Sequence, residues 1–153
     1  MKMEKFKPTW YWTGDIEEDA RLINMPDIEK EGIQEDRIEA TIQIMKQCSH
    51  IRQFTFIDML NIQNMLLNKN NWRGIKPGIR DHTINFTSAH YKYAEYLTQQ
   101  MFPIHSYDTN KDLLLAWYET MMVIHPLSDL NGRVFGIIVS LLYRWHKLQT
   151  CVD

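Results

Sequence analysis

Two long apolar stretches constrain this chain more than any other feature. Leu113 to Tyr118 with Met121 to Ile124 forms the first, and Val134 to Tyr143 the second. Between them lie His125-Pro126-Leu127-Ser128-Asp129-Leu130-Asn131-Gly132-Arg133. The first stretch is apolar nearly all round, as expected of a central helix. Pro126 pushes the residue before it out of the α region and breaks the chain direction. The second predicts a helix from Gly132 to about Lys147, with Val134, Ile137, Ile138, Leu141, Leu142 and Trp145 inward. Gly136 and Ser140 interrupt it, and the run is too short to span a bilayer. Two buried helices joined by a short polar loop imply an all-α fold.

The remaining pattern supports that class. Phe54 to Leu67 has a wide apolar face, and Asn68 to Asn71 ends it. Thr87 or Ser88 caps a further helix that Pro103 stops near Phe102, and Asp108 or Thr109 caps the helix from Asn110 to Ile124. Ile28, Ile38, Ile42 and Met45 recur at helical spacing behind a cap at Asp27, with Gly32 weakening the run. Met1 to Pro26 reads as a loosely structured lead-in with one short helix. Trp72 to Arg80 is loop material. His82-Thr83-Ile84-Asn85-Phe86 reads as a brief strand or hairpin arm, whose exposed edge invites a peptide to pair with it.

Length and charge narrow the choice of partner. The chain of 153 residues fits a single domain, 1–153, with a core at about 54–147 and a helical lead-in at 1–53. A net charge of -2 lacks the basic excess that a nucleic-acid backbone calls for. Cys48 and Cys151 form neither a disulfide framework nor a zinc pattern, which points to a reducing compartment. The first twelve residues are charged and aromatic, unlike a signal peptide, so no membrane partner is expected.

The polar loop is the place for chemistry. A helix beginning after Asn131 presents N–H groups and a positive dipole end, which suits an anion. Gly132 allows close approach, and Arg133 can fork onto phosphate oxygens. Asn131 can bond the phosphates or fix the loop. Asp129 is a hard oxygen donor of the kind Mg2+ takes one or two of, and His125 is a candidate general base for a hydroxyl. Each residue alone is ordinary at a turn; the combination between two buried helices is not.

His125 to Arg133 resembles the Fic motif, HxFx(D/E)(A/G)N(G/K)RxxR. Ile124-His125-Pro126, the flanking apolar helices, Pro77-Gly78-Ile79-Arg80 and Thr83 to Phe86 extend the resemblance over roughly Phe54 to Trp145. It implies a Fic-type helical bundle with a small β-hairpin flap. It also implies Mg2+-dependent transfer of a nucleotide monophosphate, most often AMP from ATP, to a protein hydroxyl. By position, His125 matches the base, Asp129 the Mg2+-binding acid, and Asn131, Gly132 and Arg133 the phosphate loop. Thr83, Ile84, Asn85 and Phe86 match the flap that docks the target. A cytoplasmic location, or delivery into a host cytosol as an effector, follows, as does a separate antitoxin-like inhibitor.

Three positions depart from the motif: Leu127 for Phe, Leu130 for Ala or Gly, and Gly136 for the second Arg. The last removes a charge-assisted contact of about 1.5–3 kcal/mol. It leaves open a Doc-like kinase that moves the γ-phosphate, or a decayed site that only binds. Asp27 to Gly32, DIEKEG, partly matches the family's inhibitory helix, with Glu31 at its acidic position.

Overall fold

A computed structural model of the chain describes residues 10–32, 35–69, 77–79, 93, 96–108 and 110–150; for 27–31, 108, 149 and 150 it describes the backbone alone. The described residues are mostly helical. In chain order they form α1 (Ile16–Glu31), α2 (Glu35–Cys48), β1 (Gln53–Phe54), α3 (Phe56–Lys69), a helical stretch at 96–100, β2 (Ile104–His105), α4 (Lys111–Ile124) and α5 (Asn131–Thr150). No helix among them is long and apolar enough to cross a membrane.

Caps set the helix starts. Asp15 accepts the Glu18 amide at 3.0 Å, so α1 begins at Ile16 rather than behind Asp27. It runs through Pro26, which withholds one N–H from the helix without ending it. Residues 16–26 are therefore ordered helix and not a loose lead-in. Gly32, at φ +84°, separates α1 from α2. Thr55 and Asp58 form a reciprocal box, with the Thr55 amide donating to Asp58 at 2.9 Å and the Asp58 amide to Thr55 Oγ1 at 3.2 Å. That box starts α3 two residues later than the apolar pattern suggested and leaves Phe54 in β1, fully buried. β1 pairs antiparallel with β2, Gln53 opposite His105 and Phe54 opposite Ile104. The cap of α4 is Asn110, whose side chain accepts the Leu113 amide at 2.9 Å, rather than Asp108 or Thr109.

The centre of the bundle is α5. Val134, Phe135, Ile137, Ile138, Val139, Leu141 and Leu142 are all inaccessible to solvent. α4, expected at the centre, is one-sided: Leu114, Trp117 and Met121 are buried, whereas Leu113 and Val123 are exposed. Its apolar outer face had mimicked an all-round pattern.

α1 runs antiparallel along one face of α5, held by three contacts in succession. The buried Asp19 carboxylate accepts Ser140 Oγ at 2.5 Å, together with both donors of Thr13 at 2.8 Å and the Gly14 amide at 2.9 Å. One turn on, Gly136 faces Ile23 and Trp12. Beyond it, Asn24 meets Arg133. Trp12, Ala20, Ile23, Ile38, Ile44, Met45 and Cys48 thus share a core with α3, α4 and α5, and the packed unit reaches well N-terminal of residue 54.

Candidate functional site

The loop between α4 and α5 is pinned at both ends. His125 closes α4 in the left-handed region, φ 52° and ψ 55°, with its amide on the Met121 carbonyl at 2.9 Å. Leu130, at φ 66°, enters α5 and accepts the Val134 amide at 2.9 Å. Left-handed backbone is uncommon away from glycine, and two such residues five positions apart concentrate strain that the surroundings must hold.

The holding group is Asn131. Its Oδ1 accepts the Leu127 amide at 2.8 Å and its Nδ2 donates to the Leu127 carbonyl at 3.1 Å. Both ends of the side chain are thus spent on the loop. Of the two roles open to Asn131 in the sequence, its side chain fills the bracing one, and its backbone N–H is the part in a position to meet an anion. Leu127 is fully buried, so leucine does anchor the loop where the motif has phenylalanine, and Leu130 is buried too.

A second brace comes from α3. Gln63, fully buried, donates through Nε2 to Ser128 Oγ at 3.0 Å and the Asp129 carbonyl at 3.1 Å, and its Oε1 accepts the Gly78 amide at 2.7 Å. The Ser128 amide donates to the Gly78 carbonyl at 2.9 Å, and Ile79 bridges Leu127 in antiparallel fashion. Residues 77–79 are thereby fastened to the loop. Thr83 to Phe86, the expected flap, lie outside the described residues, as does the side chain of Glu31 at the end of α1.

Over the start of α5 opens a cavity of about 270 Å³. His125, Asp129, Asn131, Gly132 and Arg133 line its polar side, so all five expected residues border one space. Tyr11, Trp12, Ile23, Tyr118 and Met122 are among those on its apolar side. Burial, and secondarily Tyr11, raises the Tyr118 phenol, which stays protonated. A cavity with convergent polar groups at one end and aromatic walls at the other has the form of a small-molecule site, at the small end of the usual range.

Each polar residue has a distinct setting. Arg133 Nε donates to Asn24 Oδ1 at 3.1 Å. Burial pulls its guanidinium down from 12.5 to about 10, so it remains a cation at neutral pH, in a place where an incoming anion relieves the cost of desolvation. Asp129 is exposed; one carboxylate oxygen accepts the Leu130 amide at 2.7 Å. It is a single hard oxygen donor at the edge of the cavity, and no cluster of three potential metal ligands occurs among the described residues. One exposed carboxylate is a donor of the kind Mg2+ takes, since that ion keeps several waters and needs few protein ligands. The first-turn amides of α5 have no intrahelical acceptors and point toward the cavity end of the helix. A Cβ at Gly132 would come no closer than 3.6 Å to Met122, so packing alone does not demand glycine there.

Gly136 is different. A Cβ there would lie 3.0 Å from both Ile23 and Trp12. The place where the motif carries its second arginine is crowded by Ile23 of α1 and by Trp12, which would have to give way for any side chain there.

Sequence reasoning missed Gln63, Asn24 and Trp12. Gln63 sits on the apolar face of α3, and a lone glutamine there was the available signal. Asn24 and Trp12 lie in the segment taken as a lead-in, where the Trp10-Tyr11-Trp12 run was the only hint of packing. No family model matches this chain, and no curated protein and no solved structure matches it.

Proposed function

We propose that this chain is a Fic-type transferase that binds a nucleotide polyphosphate over the N-terminus of α5. It passes the nucleoside monophosphate, AMP from ATP in the first instance, to a hydroxyl of a target protein. The observation that carries this reading is the convergence of His125, Asp129, Arg133 and the first turn of α5 on one cavity, in a loop braced by Asn131 and Gln63. A loop held by two left-handed residues, with a partly buried cation at its edge, supports a function for these groups beyond packing.

In this reading the first-turn amides and Arg133 hold phosphate oxygens, and the aromatic wall receives the base. The His125 imidazole takes the proton of the attacking hydroxyl. The new bond joins that oxygen to the α-phosphorus, the bond to the bridging oxygen breaks, and pyrophosphate leaves. Mg2+, held on Asp129, would offset the charge of the phosphates.

A labelling experiment tests it. Protein incubated with Mg2+, lysate and α-labelled ATP should label a protein band, and His125→Ala should abolish the label while leaving ATP binding intact. Equal labelling by the variant rules out the assigned base. Label from γ-labelled ATP alone would mean Doc-like phosphoryl transfer.

The sealed position at Gly136 favours a second reading, a site that binds nucleotide without transferring it. Calorimetric binding of Mg2+-ATP with no labelling of any protein would select that reading.

A further inference from the structure

α1 contributes a buried polar side chain to the site that the loop motif does not contain. Asn24 is 2% exposed. Its Oδ1 accepts Arg133 Nε at 3.1 Å, and its Nδ2 donates to the Ala20 carbonyl at 2.7 Å and to Thr41 Oγ1 at 3.1 Å. Thr41, also fully buried, donates in turn to the Arg37 carbonyl at 2.8 Å. The run Arg37–Thr41–Asn24–Arg133 therefore crosses from α2 through α1 to the first turn of α5.

Each link has a defined direction. The amide nitrogen of Asn24 is committed to two acceptors, which fixes which end of the amide meets Arg133. Only the oxygen faces the guanidinium, and an oxygen is what a donor such as Nε–H requires. An arginine side chain has several rotatable bonds, and phosphate forks need the guanidinium plane held in one orientation. Tying Nε fixes that plane.

We propose that Asn24 is a positioning residue for Arg133, setting the guanidinium against the cavity so that it meets phosphate already oriented. This rests on the reading of the cavity as a phosphate site. Asn24 acts through Arg133, and Thr41 holds Asn24.

The test is a double-mutant cycle read by calorimetry with Mg2+-ATP and, separately, Mg2+-pyrophosphate. Arg133→Ala should weaken binding about tenfold or more, the range for hydrogen bonds to a charged group. Asn24→Ala should weaken it by a similar factor in the parent protein and by nothing further in the Arg133→Ala protein. Side-chain nitrogen NMR supplies a readout independent of ligand: the Nε–H of Arg133 should exchange slowly with water in the parent and rapidly in Asn24→Ala. If Arg133→Ala weakens binding and Asn24→Ala does not, or if the two losses add, the positioning role is overturned and the phosphate reading stands. If Arg133→Ala has no effect, or the parent binds neither probe, both fall together. Should Asn24→Ala not fold, Thr41→Val loosens the same amide from its far side. It should cost about threefold in affinity, the scale of one neutral hydrogen bond, and unchanged affinity there overturns the proposal.

Discussion

Replacing Gly136 by alanine sets two known effects against each other. Glycine inside a helix costs about 1 kcal/mol relative to alanine, so at an open position the change stabilises. Here the new methyl would sit 3.0 Å from Ile23 Cγ1 and 3.0 Å from Trp12 Cη2, tighter than ordinary van der Waals contact. Both neighbours are buried, at 6% and 4% exposure, so relief of the contact requires them to shift within the core or toward the cavity they line. Overpacking of this kind costs typically about 1–3 kcal/mol. The expected outcome is a net loss of up to about 2 kcal/mol, the difference between those two terms. Urea denaturation followed by far-UV circular dichroism measures it, with an unchanged slope required for the comparison. The reasoning makes a sharper demand in the Ile23→Ala background. With one wall removed, Gly136→Ala should be neutral or stabilising, a coupling of about 1–3 kcal/mol between residues in contact. If Gly136→Ala stabilises the parent protein as much as it stabilises Ile23→Ala, the packing account of this glycine is wrong. Gly136→Arg, which would restore the motif, should lose cooperative unfolding altogether.

Other perturbations probe the same frame. Asp19→Asn should lower stability by about 2–4 kcal/mol, since an amide nitrogen would face donors that now share a buried carboxylate, and thermal unfolding checks this. Asn131→Ala should destabilise by about 1–3 kcal/mol, losing both bonds to Leu127, and should weaken Mg2+-ATP binding in calorimetry; intact binding would mean the loop needs no brace. Burial, and then Asp58, raises the Cys48 thiol from 9.0 to about 11. The folded state therefore holds that proton more tightly than the unfolded chain. The Cys48 contribution to stability should be flat below pH 9 and fall as pH rises toward 11, and Cys48→Ala should lessen the slope over that window in urea titrations.

The legible part of the fold was the part written in apolar periodicity. α3, α4 and α5 were readable to within a few residues, because each carries a run of Leu, Ile, Met or Val at helical spacing. The loop residues stood out for a different reason, since His125, Asp129, Asn131 and Arg133 crowd polar groups between two apolar helices, but the sequence did not show that Asn131 would spend its side chain bracing Leu127. What stayed hidden was α1. Its sequence, IEEDARLINMPDIEKE, is weakly amphipathic and contains proline, and nothing in it marks Asp19 as buried where Glu17 and Glu18 are not. β1 and β2 are two residues each, too short to show alternation, and their pairing joins segments far apart in the chain. The left-handed turns at His125 and Leu130 carry no glycine or asparagine to announce them. The one-sided burial of α4 was unreadable because Leu113, Ala116 and Val123 put apolar residues on its solvent face as well.

The seam between α1 and α5 also bears on the order of events during synthesis. Ser140 meets Asp19 across 121 residues, and Arg133 meets Asn24 across 109. Asn131, by contrast, clasps Leu127 across four. The clasp within the loop can form from a few neighbouring residues, while Trp12, Ile23 and the Asp19 carboxylate lack their α5 partners until that helix is made. Closing so long a span delays the gain from its contacts. The cavity consequently acquires its second wall only when α1 and α5 find each other, and a chain stalled before α5 holds α1 against α2 without that seam.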